Sequence, residues 1–513
     1  MTSRSLWLAK TNAGLLALVF VAGCASLRST SSHRLDQQIA QADAAYRSLD
    51  AAHVSAYNNA VASIARQIDG DTRNELRSEL DPVGVKLDQP NITLPLARYH
   101  VAPRSRIPVD SSAVGVPMLL DYDTSRVPLY PTDGLVISAT AVYRRIDGQP
   151  HVSLLSGKKT IELNGSTYPL KIDNVAPVTM MNRRGRHVAR SGFRNMLRPG
   201  SMRERSGIFL TEPYDPKKAI VLMVPGLQST PFAFVDLLKA MRLDREVSAH
   251  FQVWTFLYGS GTPVLFNALR LRQELEKTIH DVDPHDHDFA TRHIVILGHS
   301  MGGLMAHTLV SSSGNNIWGS VFAVPPEQLN GDPRTIRQIK DALIFRRNPS
   351  VVGAIFVATP HRGSNLAESW VGRVGASLIR LPSSLQNAFV QVATENPQAP
   401  TPEAAAFGKG FNFSSVHALS PNEPALRALA QLPVRVPFHS IIGQRHAGPL
   451  ETSNDGVVRY TSSHLDGAAS ELVVRSGHNV CENPDAQREV IRILRLELNR
   501  EKRTNEVPSL ARR

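Results

Sequence analysis

Six short apolar runs, separated by segments with helical spacing, constrain the fold of the second half of the chain more than any other feature. The runs are AIVLMVPG, FQVWTFLYG, HIVILGHS, GAIFVATP, PFHSIIGQ and ELVVRSG. Between several of them lie segments such as LFNALRLRQELEKTI, in which apolar residues recur at helical spacing. Strands without polar alternation are typical of a parallel sheet that helices cover on both faces. We therefore expect an α/β domain with a mostly parallel central sheet.

One of these runs leads into a serine that lies between two glycines. Ser300 stands in Gly298-His299-Ser300-Met301-Gly302, after HIVIL and before the helical pattern GLMAHTLVSS. A sharp turn from strand to helix crowds the backbone, so small residues are needed on both sides of the serine. Such a turn raises the hydroxyl above the carboxyl edge of the sheet, at the positive end of the helix. The pattern predicts a nucleophilic serine.

The stretch from about Ile208 to Leu496 resembles the α/β-hydrolase superfamily. The motifs that carry the resemblance are LMVPGLQS, LGHSMGG, VATPHRGS, SNDGVV and SGHNVCENP. Within the superfamily the chain is similar to lipases and esterases, including inositol-deacylase-like serine hydrolases. The resemblance implies an α/β-hydrolase fold over residues 207–500 and the activity of a serine hydrolase.

Two further residues complete the expected catalytic group. A serine hydroxyl needs a base to take its proton, and the base needs a group that orients it. In this fold the chain order is nucleophile, acid, histidine. His478 follows ELVVRSG, where the resemblance places the base, and Asp455 in ETSNDGVVRY follows PFHSIIG, where it places the acid. We therefore predict Ser300, Asp455 and His478 as the catalytic residues.

Other histidines and turns leave alternatives to this assignment. His464 and Asp466 in SSHLDGA form a rival pair, although they precede the last predicted strand and need a long loop to return them. Asp455 also fits a plain turn, because Asn-Asp-Gly is good turn chemistry. We interpret His299 as a buried structural residue and His361, in TPHRGS, as a loop-shaping residue near the site.

The oxyanion that forms on the attacked carbonyl needs donors that are already in place. One expected donor is the N–H of Met301, directly after the nucleophile. The other is expected in the loop after IVLMV. Relatives often carry His-Gly in that loop, whereas this chain carries Pro225-Gly226, so the expected donor is the N–H of Leu227.

This chemistry needs neither a metal nor a cofactor, and we expect none. HDVDPHDHD, with His280, His285 and His287, has no recognised metal-ligand spacing. PGLQS and GHSMGG both lack the spacing of a nucleotide-binding loop.

The first 24 residues are typical of an export signal. Arg4 and Lys10 form a charged start before AGLLALVFVAG, an apolar run too short for a comfortable membrane span. The run ends at Cys24, and VAGC resembles the lipobox of bacterial lipoproteins, in which the cysteine is lipidated. Ala25 stands where an aspartate would indicate retention in the inner membrane. We expect a lipid anchor at Cys24 in the bacterial envelope, in the outer membrane facing the periplasm; an ordinary signal peptide is the alternative.

Charge and cysteine content limit the partners. The net charge is +12, and arginines concentrate in residues 181–206. We interpret that segment as a solvated connector, with contact to lipid headgroups or lipopolysaccharide phosphates as the alternative. Few aromatic residues accompany these arginines, and the export signal argues against a nucleic-acid partner, so we expect none. Cys481 is the only cysteine besides Cys24, so a lipidated Cys24 leaves no disulfide within the chain.

The remaining segments are assigned by their patterns. Residues 25–80 form a tether and a helical segment, and residues 90–180 a small β-rich domain with Asp-Gly and Asn-Gly hairpin turns. Residues 365–436 form an insertion, which is either a mobile lid over an acyl pocket or a set of helices that thickens the domain. Residues 501–513 form a polar tail.

These observations favour a lipid-anchored serine hydrolase that cleaves acyl or lipid esters through an acyl-enzyme. The same three residues serve amide hydrolysis and acyl transfer, so the sequence leaves an acyltransferase open. A non-catalytic envelope scaffold with a hydrolase-like domain is the alternative from another class of protein. The sequence leaves the oligomeric state open.

Overall fold

The computed structural model divides the chain into two compact units. The described residues are 33–67, 70–71, 86–88, 96–102, 110–131, 133–184, 206–227, 231–259, 262–364, 391–392, 394–407 and 419–506. The first unit comprises Met1–Arg126 and Gly134–Met180, and the second comprises Val127–Asp133 and Met181–Arg513. Cys24, the predicted export signal and most of the predicted Arg-rich connector fall outside the described residues.

The first unit is built from helices and two antiparallel-rich sheets. Helix α1 spans 33–47 and α2 spans Val54–Ala65. The strands are β1 Gly70–Asp71, β2 Lys86–Asp88, β3 Leu96–Val101, β4 Val116–Tyr122, β5 Leu135–Ile146, β6 Gln149–Leu155, β7 Thr160–Leu163 and β8 Ser166–Pro169. Six of them form one sheet in the order β1-β3-β4-β5-β6-β2, and β7 pairs with β8.

Helix α2 packs on β4 and β5 of this sheet, so the helical and β-rich regions share one core. The buried hydroxyl of Tyr57 donates to the carbonyl oxygen of Tyr143 at 2.6 Å and accepts from its N–H at 3.0 Å. The buried face of α2, which includes Val61 and Ile64, needs an apolar partner, and the sheet supplies it. The segments predicted as 25–80 and 90–180 therefore belong to one compact unit.

The second unit contains a seven-stranded sheet within the described residues. Its strands are β9 Gly207–Leu210, β10 Ala219–Val224, β11 Phe251–Leu257, β12 Ile294–His299, β13 Val351–Val357, β14 Phe438–Gln444 and β15 Ser470–Arg475. They lie in the order β15-β14-β13-β12-β10-β11-β9. Every neighbouring pair is parallel except β11 with β9. The mostly parallel central sheet that the sequence predicts is confirmed.

Helices connect these strands in the α/β manner. Helix α3 spans 176–184 and precedes the first strand of this sheet. The later helices are α4 Val235–Leu243, α5 Arg245–His250, α6 Val264–Val282, α7 Phe289–Arg292, α8 Met301–Val310, α9 Asn316–Val321, α10 Pro333–Leu343, α11 Pro402–Phe407, α12 Pro424–Ala430, α13 Tyr460–Ser463 and α14 Pro484–Glu506. β10 and β12 are buried at every position, which explains why their sequences are apolar without alternation. Helix α8 is also buried throughout, so it lies in the middle of the unit.

The structure adds detail to two predicted segments. The described parts of the insertion 365–436 pack into the core: Leu426 and Leu429 of α12 are buried, and the N–H of Ala323 donates to the carbonyl oxygen of Ala399 at 2.7 Å. These parts thicken the domain, whereas 365–390 and 408–418 lie outside the described residues, so the lid stays a prediction. Helix α14 continues to Glu506, so the described part of the predicted polar tail, 501–506, is helical. Charged residues such as Glu, Lys and Arg are good helix formers, and polarity alone does not end a helix.

None of the helices among the described residues combines the length and the apolar character that a membrane span requires.

Candidate active site

Ser300 occupies a strained turn between β12 and α8. Its backbone has φ 54° and ψ −126°, a conformation that is costly for a residue with a side chain. The surroundings hold it there: the N–H of Ser300 donates to the carbonyl oxygen of Val357 at 2.9 Å, and Gly303 N–H donates to the carbonyl oxygen of Ser300 at 2.9 Å. A strained residue fixed in this way is typical of a functional position.

The two glycines of the motif allow a close approach of main chains. A Cβ at Gly302 would fall onto the carbonyl oxygen of Val224 at the end of β10. A Cβ at Gly298 would lie 2.5 Å from the Cα of Gly303. Helix α8 can therefore start directly against the loop after β10. The sequence pattern predicts that small residues are needed at these two positions.

His478 bridges Ser300 and Asp455. It follows β15, and its Nε2 lies 2.9 Å from Ser300 Oγ while its Nδ1 lies 2.8 Å from Asp455 Oδ2. Ser300 follows β12 and Asp455 follows β14, and the carboxyl ends of these parallel strands share one edge of the sheet. The structure thus brings the three predicted catalytic residues into one hydrogen-bonded row; their catalytic role stays a prediction.

The main chain fixes the carboxylate of Asp455. Its Oδ1 accepts from the N–H groups of Val457 at 2.8 Å and Val458 at 2.7 Å, and the residue is 2% exposed. Both oxygens of this buried carboxylate therefore have partners. Asp455 forms the Asn-Asp-Gly turn and also lies at the Nδ1 of His478. The two interpretations of Asp455 therefore do not exclude each other.

The rival pair lies elsewhere. His464 Nδ1 lies 2.7 Å from Glu471 Oε2, and its Nε2 lies 3.2 Å from Asp466 Oδ1. The hydrogen bond that His464 donates to Glu471 is the main cause that raises the pKa of His464. Among the described contacts of His464, none reaches Ser300.

His299 is buried, as its position in the motif predicts, and it also contacts the base. It is 7% exposed, and its Nε2 donates to the carbonyl oxygen of His478 at 2.8 Å. Burial, and then the charge of His478, lower the pKa of His299 to about 4. The sequence carried no signal for this contact, because the two residues lie far apart along the chain.

His361 is buried behind the site rather than in it. Its ring packs edge-on against Phe356 of β13, with centroids 4.8 Å apart, and against His307 of α8 at 5.5 Å. Burial holds the pKa of His361 well below its usual range. The residue thus fills the space between the sheet and α8, next to the loop that it begins.

The expected oxyanion donors lie beside Ser300. A Cβ at Gly226 would lie 2.9 Å from the Cβ of Ser300, so the loop that carries Leu227 passes next to the nucleophile. The hydroxyl of Tyr258 donates to the carbonyl oxygen of Pro225 at 2.8 Å and anchors this loop, a contact that the sequence did not reveal. Met301 is the first residue of α8, where an N–H has no partner inside the helix. Both donors remain predictions.

A polar cavity of about 580 Å³ opens on the acid side of the row. Its lining residues are Arg445, Asp455, Gly456, Val457, Ser476, Gly477, His478, Asn479, Glu482 and Asn483. Ser300 does not line this cavity, and most of its lining residues are polar, so it offers no apolar site for an acyl chain.

The histidine-rich loop is held by hydrogen bonds rather than arranged as a metal site. Asp283 accepts from the N–H groups of His287 and Asp288, each at 3.0 Å, and from the hydroxyl of Thr291 at 2.6 Å. Within the part of the chain that the structure describes, no three His, Cys, Asp or Glu side chains converge to hold a metal ion.

Several solved structures are similar to the chain. The mature form of the lipase BlEst2 from Bacillus licheniformis is 15% identical, with 56% of this chain and 97% of that chain covered and a TM-score of 0.33. The metagenomic carboxyl esterase MGS0156 is 17% identical, with coverages of 56% and 77% and a TM-score of 0.28. EstA from Clostridium botulinum is 13% identical, with coverages of 54% and 87% and a TM-score of 0.32. No curated protein matches the chain.

A family model gives the assignment. Residues 221–490, more than half of the chain, match the model described as Alpha/beta hydrolase family. The match includes Ser300, Asp455 and His478, and it agrees with the parallel sheet and with the motifs of the sequence. The chain therefore belongs to the alpha/beta hydrolase family.

Proposed function

We propose that the protein is a serine hydrolase that cleaves carboxylic esters of acyl lipids through an acyl-enzyme, while a lipid on Cys24 anchors it in the bacterial envelope. One observation carries the enzymatic part: His478 lies 2.9 Å from Ser300 Oγ and 2.8 Å from Asp455 Oδ2. These distances are hydrogen-bond distances, and they support the proposal that His478 is the base for the Ser300 hydroxyl and that Asp455 orients it.

In the first half of the reaction Ser300 attacks the ester carbonyl. As the Oγ–C bond forms, the hydroxyl proton moves to His478 Nε2. Asp455 holds the Nδ1–H and stabilises the imidazolium that results. The imidazolium then protonates the leaving alcohol, which departs and leaves an acyl group on Ser300.

In the second half of the reaction water is the nucleophile and Ser300 is the leaving group. His478 takes a proton from water, the hydroxide attacks the acyl carbonyl, and the proton returns to Ser300 Oγ as the acid leaves. In both halves the carbonyl oxygen becomes an oxyanion, which the N–H groups of Leu227 and Met301 stabilise. The small separation of Gly226 and Ser300 supports this placement.

The substrate class follows from the anchor. A lipidated Cys24 would keep the catalytic unit at a membrane surface, because each buried methylene contributes about 0.8 kcal/mol and two chains give stable anchoring. Acyl lipids are the esters that such a surface concentrates. Labelled palmitate on the wild type and its absence on Cys24→Ala is the expected result; label that persists on Cys24→Ala contradicts the anchor.

A fluorophosphonate probe, combined with p-nitrophenyl esters of graded acyl length, tests the enzyme. The wild type should be labelled and should hydrolyse the esters, whereas Ser300→Ala should do neither. Ser312→Ala, which removes an exposed serine hydroxyl beyond α8, is the matched control and should behave as the wild type. A wild type that is neither labelled nor active across pH and detergent conditions would instead favour a scaffold.

A further inference from the structure

His299 and Ser300 hold His478 at two different points. Ser300 Oγ meets the ring at Nε2, and His299 Nε2 meets the main chain at the carbonyl oxygen, 2.8 Å away. A carbonyl oxygen only accepts hydrogen bonds, so the proton of His299 must be on Nε2. Consecutive residues of the nucleophile turn thus fix both the ring and the backbone of the base.

The segment that carries His478 has few other anchors. At its start the N–H of Ser476 donates to the carbonyl oxygen of Gln444 at 3.2 Å, and at its end Val480 is fully buried. Within the described part of the chain, His299 supplies the one hydrogen bond to the main chain of His478 itself. Loss of that bond would free the peptide that sets the direction of the imidazole.

Burial keeps His299 in a single neutral form. The residue is 7% exposed, its Nδ1 has no partner among the described groups, and the pKa of His299 is lowered to about 4 by burial. The ring centroids of His299 and His478 lie 5.0 Å apart. A neutral neighbour at that distance does not oppose the positive charge that His478 gains when it takes a proton.

We propose that His299 is a positioning residue for the base, and that its contribution is largest while Ser300 is acylated. This inference rests on the proposed function and deepens it. Once Oγ carries the acyl group, the serine has no hydroxyl proton to donate to Nε2. In the acyl-enzyme, His478 therefore keeps the contact of Asp455 at Nδ1 and the contact of His299 at the main chain, but it loses the contact with the serine hydroxyl. This is the state in which His478 must activate water.

Three variants of His299 separate the hydrogen bond from the packing. His299→Phe fills the same space without a donor. His299→Gln places an amide nitrogen where Nε2 was, whereas His299→Asn places it one bond short. We expect kcat of His299→Phe and His299→Asn to fall about tenfold, the effect of one lost hydrogen bond, with recovery in His299→Gln. KM should fall with kcat, because slower deacylation accumulates the acyl-enzyme while acylation keeps the Ser300–His478 bond.

A spectroscopic measurement gives the second readout. The proton between His478 Nδ1 and Asp455 should give a low-field ¹H resonance in the wild type and in His299→Gln, broadened or shifted upfield in His299→Asn. Equal kcat and equal resonances in all folded variants would overturn the inference, and so would equal losses of kcat in His299→Gln and His299→Asn. If His299→Phe does not fold, the comparison of His299→Gln with His299→Asn decides. A wild type without turnover or fluorophosphonate labelling refutes the proposed function instead, whereas the resonance still tests the His299 contact.

Discussion

Among the described residues of the second unit, His478 and His464 each lie beside a carboxylate, and they differ in what the second ring nitrogen faces. His478 has Asp455 at Nδ1 and the hydroxyl of Ser300 at Nε2. His464 has a carboxylate at each nitrogen, 2.7 Å and 3.2 Å away. Two acceptors favour a ring that is protonated twice, and the Glu471 hydrogen bond raises the pKa of His464 accordingly. A doubly protonated ring cannot take a proton from an alcohol.

Burial separates the pairs as well. The side chain of Asp455 is 1% exposed and that of His478 14% exposed, whereas His464 is 38% and Asp466 88% exposed. A carboxylate excluded from water keeps its orientation toward one histidine, while an exposed carboxylate is hydrated and mobile. The comparison teaches that His478, with a buried carboxylate at one nitrogen and a hydroxyl at the other, has the geometry that a base requires, whereas His464 has a carboxylate at each nitrogen.

The largest expected effect comes from exchanging the two histidines for alanine. His478→Ala and Ser300→Ala should each lower kcat by about 10⁶-fold, since residues that act as one unit fail together. His464→Ala should change kcat by less than about twofold, as is usual for a surface substitution. Ester hydrolysis and fluorophosphonate labelling measure both. Strong loss in His464→Ala with an intact fold would break the comparison.

Replacing Asp455 and replacing Glu471 should have effects on kcat that differ by nearly as much as those of the two histidines. Asp455→Asn should lower kcat by about 10⁴-fold, because the amide favours the wrong imidazole tautomer. Glu471→Gln is the matched control, with the same loss of one charge beside a histidine, and we expect less than about a twofold change. Near-normal hydrolysis by Asp455→Asn would show that another group orients His478.

A third difference is the pair of backbone donors that we predict next to Ser300. Leu227→Pro removes one N–H and should lower kcat by about 10²–10³-fold with little change in KM, since the donor serves the oxyanion. Leu227→Ala keeps the N–H and controls for the lost side chain. If both variants lose the same activity, the leucine contributes packing and the donor lies elsewhere.

Local signals explain how much of the site the sequence predicts. Ser300, Asp455 and His478 each follow an apolar run, and in a parallel sheet the ends of such runs meet at one edge. Chain order then assigned nucleophile, acid and base. The main-chain donors at Val457 and Val458 also depend on local sequence, because they lie within three residues of Asp455.

Contacts between distant segments could not be predicted in this way. His299 and His478 are 179 positions apart, and Tyr57 and Tyr143 are 86 apart. Periodicity and turn chemistry report the preference of a few neighbouring residues, whereas these bonds depend on how whole elements pack. For the same reason the sequence alone left the His464 pair open.

The smallest expected effect concerns stability at the His464 pair. Because the pKa of His464 is raised in the folded state, its contribution is complete below the unfolded value of about 6.5 and is lost as the pH rises through the folded value. Glu471→Gln should therefore lower the free energy of unfolding more at pH 5.5 than at pH 9, as measured by urea denaturation at each pH. The pair is partly exposed and screened, so the difference should be at most about 0.5 kcal/mol. Glu403→Gln, an exposed carboxylate on α11, should show no such difference. An equal loss for Glu471→Gln at both pH values would mean that Glu471 acts through its hydrogen bond to Tyr460 and not through the charge of His464.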